Sequence, residues 1–251
     1  MITFLLWYLF ISLLGLITFP LAYRMLPALA DRGYAFSRSL GLLLWGYGFW
    51  LLGSLGLIGN DIGGHLLALI LLVVLCAWVL RGGVWVEVKE WLRNQRRLVI
   101  TIEILFLCAF ASWILVRAAN PEIFGTEKPM ELAFINAILR SPKLPPHDPW
   151  LSGYGISYYY FGYVMVAMLA RITGTTAGIA FNLGLSLVFG LSAIGAYGIL
   201  FNLLSTVKKQ TGAHVKFQTR NLSAALLGPF FVLIVSNFEG FFHMLHNRGI
   251  F

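Results

Sequence analysis

The chain has 251 residues, of which 59% are hydrophobic and 11% charged, with a formal net charge of +8. Soluble domains carry about 25% charged residues, so an ordinary water-soluble fold is excluded and a polytopic membrane protein is indicated. The basic residues sit in short segments between apolar runs, as orientation signals do, which argues against nucleic acid and for membrane lipids as partners.

A crossing needs ~20 mostly apolar residues, and seven stretches are expected to supply one: about 2–23, 39–58, 63–80, 98–117, 157–171, 176–204 and 221–238. Strand patterning is absent, so the expected fold class is all-α. The first run lacks the charged start of a signal peptide and exceeds its usual apolar core of ~7–15 residues. It reads as a retained span that Pro20 can kink. Arg24, Arg32 and Arg38 follow it, Gly59-Asn60-Asp61-Ile62 carries no Lys or Arg, and Arg81, Lys89, Arg93, Arg96 and Arg97 follow the third run. Lys/Arg excess marks the cytoplasmic side. The N-terminus and the long loop 118–156 are then expected on the outer face of the plasma membrane. One segment conflicts: Lys208, Lys209, Lys216 and Arg220 fall in a connection that counting spans places outside. Cys76 and Cys108 both lie within apolar runs and read as small buried hydrophobes rather than a disulfide.

Inside the fourth run, Glu103 lies about one turn from the cytoplasmic end, within reach of water or of the nearby arginines. Arg171, at the inner end of the expected fifth span, reads as an anchoring charge.

The polar stretch from Arg117 to Tyr163 holds four of the ten acidic residues and six of the nine prolines, and it is where chemistry on polar or headgroup substrates is expected. Thr126 is suited to cap a helix over Glu127–Arg140, with Met130, Phe134, Ala137 and Ile138 forming an apolar face toward the membrane. Glu127 and Glu131 share a face of that helix. The pair can hold a divalent cation, supply a general base, or simply be solvated near a helix start. Four prolines between Pro142 and Pro149 enforce a stiff path that fixes His147, Asp148 and Trp150 beside the bilayer. Asp148 reads either as a base or metal ligand or as a turn former before proline. Tyr158, Tyr159 and Tyr160 point around more than half a helix, so they form an interfacial belt or face a polar ligand such as a phosphate or a sugar.

Taken in order, RAANPEIFGTEKPMELAFINAILRSPKLPPHDPWLSG and ISYYYFGY resemble the YYY family of polytopic membrane proteins, a domain of unknown function named for the tyrosine triplet. The likeness runs from about Thr101 to Glu239. It implies variable leading helices over 1–97 and the start of a membrane core over 98–251. Members of that family are much longer, so the chain is expected to be an N-terminal part of a longer protein. A remoter similarity is to the C-superfamily (GT-C) membrane glycosyltransferases, which use sugars on polyprenyl phosphates. Those enzymes place one or two acidic residues early in the first outer loop, then an amphipathic helix, a Pro-containing segment and aromatics. By position the resemblance implies Glu131 or Glu127 as catalytic base or contact to a divalent cation, with Asp148 the further candidate. The lipid-linked sugar would lie against Arg117, His147, Trp150 and Tyr158–Tyr160. The sequence departs from the pattern in having no Asp-Glu pair. The alternatives are a transporter or flippase for a lipid-linked substrate and a non-catalytic scaffold subunit.

Overall fold

A computed structural model describes residues 2–209, 217–235 and 238–250. The chain forms α1 (Ile2–Met25), α2 (Ser37–Ser54), α3 (Ile62–Val79), α4 (Val84–Asn94), α5 (Arg96–Ala119), α6 (Lys128–Arg140), α7 (Phe161–Thr173) and α8 (Ala177–Lys209), followed by α9 (Phe217–Ala224), α10 (Leu227–Pro229) and α11 (Phe238–Asn247). It is all-helical among the described residues, apart from an isolated bridge between His147 and Gly155. Helices α1, α3, α5 and the 177–206 part of α8 are long and apolar enough to cross a membrane. The chain is therefore a polytopic membrane protein.

The long helices pack antiparallel, which gives the bundle two distinct ends. Along α1 and α2, Phe10 meets Trp45, while a Cβ on Gly41 would come within 2.9 Å of the Leu14 and Thr18 side chains. Thr18 Oγ1 closes that seam by donating to the Ser37 carbonyl at 2.7 Å. Along α5 and α8, Arg117 is bonded to Asn182, Trp113 stacks on Phe189, and Gly190 abuts Phe106 and Phe110. One end, here the arginine end, carries the basic residues around α4: Arg24 closes α1, Arg81 follows α3, and α4 carries Lys89 and Arg93. The other end gathers the connection 55–61, the polar stretch 120–160, and helices α6 and α7.

Helix α4 was expected only as a basic connection. Val84, Val88, Trp91 and Leu92 recur at helical spacing, and Trp91 packs on Phe19, Tyr23 and Tyr34 at the arginine end. Pro20 sits within α1 without ending it.

Within the expected fifth span, 157–171, the structure has helix α7. Helix α7 has 13 residues, about 20 Å by helical rise, which is short of the ~30 Å hydrocarbon core. It also begins and ends at the same end of the bundle. Its N-cap Tyr160 accepts a bond from Trp50 near the end of α2, at 2.9 Å. Its last turn places Arg171 on Asn60 in the 55–61 connection. Helix α8 then starts beside the loop end of α5 and runs the length of the bundle. Near its far end Asn202 is bonded to Asp31, in the connection after α1. The basic segment after α8 therefore leaves from the arginine end; Lys216 of that segment lies outside the described residues. In the last expected span, 221–238, α9 and α10 lead into one π-helical turn at Phe230–Ile234, and residues 236–237 lie outside the description.

Glu103 finds its cation in Arg38, one of the arginines after the first apolar run. Arg38, at the start of α2, pairs with the Glu103 carboxylate and lies 4.6 Å over the Phe106 ring. Tyr34 donates to the same carboxylate at 2.7 Å. Burial first, and then that carboxylate, push the Tyr34 phenol above its ordinary range, so it stays a donor. Asp31 is fully buried. Its carboxylate accepts from the backbone N–H groups of Gly33 and Ala35 and from Asn202 Nδ2, at 3.0, 3.1 and 2.8 Å. Each buried charge is thus paired or hydrogen-bonded, as an interior requires.

Candidate functional site

At the loop end, α6 and α7 run side by side in the same direction: Glu131 stands opposite Tyr163, and Leu139 opposite Arg171. The apolar face of α6 is Phe134, Ile135 and Ile138, and it is covered by protein rather than lipid. Thr126 does not cap this helix; Glu127 occupies the N-cap position without a side-chain bond, and Thr126 adopts φ 51°.

The last carbonyls of a helix lack intrahelical donors, and here distant residues supply them. Asn60 Nδ2 donates to the Ile138 and Ser141 carbonyls at 2.6 and 2.7 Å. Arg171 donates to the Leu139 carbonyl at 2.6 Å and to the Asn60 backbone and side-chain oxygens at 2.6 and 2.9 Å. Arg171 is therefore a clamp joining α6, α7 and the 55–61 connection, which corrects its reading as an inner anchor. Trp7 ties α1 to the same region, donating to Thr173 Oγ1 and Thr175 Oγ1 at 3.0 and 3.1 Å.

On this platform Glu131 is half-buried and accepts a bond from the Tyr163 hydroxyl at 3.1 Å. That tyrosine follows the triplet and was not singled out in the sequence. Its spacing from Phe161 and Gly162 resembles an ordinary helix start, so nothing local marks it. Behind the pair, Phe134 packs on Trp150, Tyr158 and Tyr163 with ring centroids 5.6, 5.8 and 5.7 Å apart. Tyr158 joins this cluster to an apolar cavity of about 400 Å³ lined by Tyr47, Trp50, Tyr159, Tyr160 and Phe161. The triplet thus lines one cavity. Tyr159 is 84% exposed, while the Tyr160 hydroxyl is taken by Trp50.

The remaining expected residues separate. Glu127 is exposed. Asp148 Oδ1 accepts from the backbone N–H groups of Trp150 and Leu151 at 2.8 and 2.9 Å, the turn-forming alternative for this residue. His147 and Asp148 border a polar cleft of about 400 Å³ with Asn136, Arg140 and Ser141, on the exposed side of α6. Arg117 stands at the mouth of α5 and α8, donating to Asn182 Oδ1 at 2.7 Å and to the Glu122 carbonyl at 3.1 Å, with no contact to the triplet. Glu127 and Glu131 are the pair that the sequence offers to a divalent cation. Among the described residues no third His, Cys, Asp or Glu gathers with them, and one carboxylate is engaged by Tyr163.

An all-helical membrane bundle that holds a half-buried carboxylate and an aromatic cavity at its loop end defines the class: a polytopic membrane protein with a polar-loop site. The model of an uncharacterized membrane protein family (DUF2298) matches residues 44–250, and the chain belongs to that family. The match begins within α2 and includes α3 and α4. Among curated proteins and solved structures, nothing matches the chain.

Proposed function

We propose that the loop end is the active site of a membrane glycosyltransferase that uses a sugar carried on a polyprenyl phosphate. The observation that carries this reading is the Glu131–Tyr163 pair, set behind a tyrosine that also lines an apolar cavity. A prenyl chain suits a cavity walled by Tyr47, Trp50, Tyr159 and Phe161, and tyrosine hydroxyls suit the phosphate–sugar junction. Tyr163 occupies one oxygen of Glu131, and no other described donor reaches the carboxylate. The second oxygen is then free to take a proton from an acceptor hydroxyl. In that step the acceptor oxygen bonds the sugar's anomeric carbon and the anomeric carbon–phosphate oxygen bond breaks. The proton passes to Glu131, and the lipid phosphate leaves as an anion. The order of acidic residues, amphipathic helix, Pro-rich segment and aromatics supports the same reading through its resemblance to the C-superfamily layout.

In the same proposal the arginine end is cytoplasmic and the loop end lies on the outer face of the plasma membrane. Helices α1, α2, α3, α5 and α8 cross, while α7 does not. Counting this way, the arginines after α1 and α3 and the lysines at the end of α8 share one side, as the positive-inside rule asks. The alternatives weighed from the sequence, a transporter or flippase and a scaffold subunit, gain no comparable support. Glu103, the carboxylate a transport pathway would use, is neutralised by Arg38.

The test is transfer from a radiolabelled polyprenyl-phosphate sugar in vesicles holding the whole protein. Losing a general base costs roughly 10²–10⁴-fold in rate, and E131Q is expected to lose that much while keeping its fold. Near-wild-type turnover by E131Q would remove Glu131 from the role. Lipid movement across the vesicle without transfer would favour the flippase.

A further inference from the structure

We propose that the cleft at the arginine end, between the end of α1, the 26–36 connection and the start of α4, binds the phosphate of an anionic lipid headgroup. The cleft has a volume of about 430 Å³, and Arg24, Arg32 and Arg81 all line it. Three segments far apart in sequence bring these guanidinium groups together. Arg24 is in the last turn of α1, Arg32 follows Asp31 in the connection, and Arg81 opens the Gly82-Gly83 turn after α3. A phosphate, with several acceptor oxygens, is the ligand that converging guanidinium forks match.

The local acids do not neutralise this cleft. Asp31, next to Arg32 in sequence, is turned inward and spent on Gly33, Ala35 and Asn202. Among the described residues, none of Arg24, Arg32 and Arg81 is within ion-pair distance of a carboxylate. Glu87 is the acid on the cleft wall, which leaves the lining basic. Arg32 is also held in place rather than free to sweep solvent. Its backbone adopts φ 51°, and its guanidinium lies 4.8 Å over the Tyr23 ring. Arg81 lines the cleft beside Gly82, and the Gly82-Gly83 turn has φ of 68° and 91°, a conformation that glycine adopts without strain.

The depth of the cleft says which phosphate source is meant. Trp78 and Trp85 flank it in sequence on either side of the turn and are 61% and 58% exposed; Met25, beside Arg24, is 62% exposed. Exposed tryptophans at the ends of apolar helices mark the membrane–water interface. Basic pockets at that level are where anionic headgroups bind. The apolar residues would then meet acyl chains while the arginines meet the headgroup.

The experiment uses the whole protein in neutral detergent, with melting temperature as readout. The probes are dioctanoyl phosphatidic acid, dioctanoyl phosphatidylcholine and inorganic phosphate. Phosphatidic acid is expected to raise the melting temperature saturably, and phosphatidylcholine to leave it unchanged. Each surface cation contributes about 1 kcal/mol toward an anionic lipid, so R24Q/R81Q should raise the half-saturating concentration roughly 10- to 30-fold. Both side chains are exposed, so this variant should melt like wild type without lipid; should it not, R24Q and R81Q singly carry the test, each at about a fivefold loss. The control R93Q/R96Q removes the same charge outside the cleft and should bind as wild type does. Equal weakening in the control, or none in R24Q/R81Q, would overturn the site. An equal shift with inorganic phosphate alone would keep the phosphate site but overturn the lipid as its source.

Discussion

Arg171 and Arg38 show how little a basic residue's sequence neighbourhood says about its partner. Arg171 forms no ion pair among the described residues; it satisfies the C-terminal carbonyls of α6 together with Asn60, 111 residues away. Removing the Asn60 amide would strand two helix-end carbonyls and weaken the arginine's seat. N60A is therefore expected to cost about 2–6 kcal/mol, counting each of the two buried orphans at about 1–3, read by thermal unfolding in detergent. A near-neutral change would mean that water reaches this clamp. Arg38 is the complementary case, a buried cation whose one acid is Glu103. R38M leaves that carboxylate unpaired and should destabilise by about 3 kcal/mol. E103Q added to R38M should recover much of the loss, because the unpaired charge is gone. Additive losses in the two variants would contradict the pairing.

At the scale of elements, what hydropathy could read was length, and what it could not read was direction. The runs 2–23, 63–80, 98–117 and 176–204 correspond to α1, α3, α5 and α8 within a few residues, since a crossing must be long and apolar. The place of Glu131 in the first turn of a helix was legible from the pattern that follows Pro129, to which Phe134 also belongs. Whether helix α7 crosses is not legible in the sequence, because Phe161–Thr173 is apolar whether it crosses or lies along one end. The contacts of its two termini, with Trp50 and with Asn60, support the second arrangement proposed above. The amphipathic α4 is masked by charges that also signal orientation, although Val84, Val88, Trp91 and Leu92 carry its period. Labelling separates the two topologies. In a variant without Cys76 and Cys108, a cysteine at Thr176 should be modified from the same side as one at Ser141. One at Ser205 should share the side of one at Asn94. A seven-span chain gives the opposite result at both Thr176 and Ser205.

Seen as a whole, the molecule carries two kinds of exposed apolar surface, which solvent accessibility alone cannot tell apart. Ile70, midway along α3, is 56% exposed, and Phe124, in the connection before α6, is 82% exposed. In water both would be ordinary surface positions where a charge costs little. The long helices, however, expose leucines and isoleucines along their middles, including Leu9, Leu13, Ile70 and Ile104, whereas the arginines lie toward the two ends, Arg24, Arg81 and Arg93 at one and Arg117, Arg140 and Arg171 at the other. That distribution requires an apolar solvent around the waist and water at the ends. Arginine at the centre of a crossing helix costs about 3 kcal/mol of insertion, whereas at a water-facing loop it costs almost nothing. I70R is thus expected to reduce the alkali-resistant, membrane-inserted fraction of the whole protein, and F124R to leave it at the wild-type level. If the two variants insert equally well, the waist of this bundle does not face lipid, and the crossing assigned to α3 fails with it.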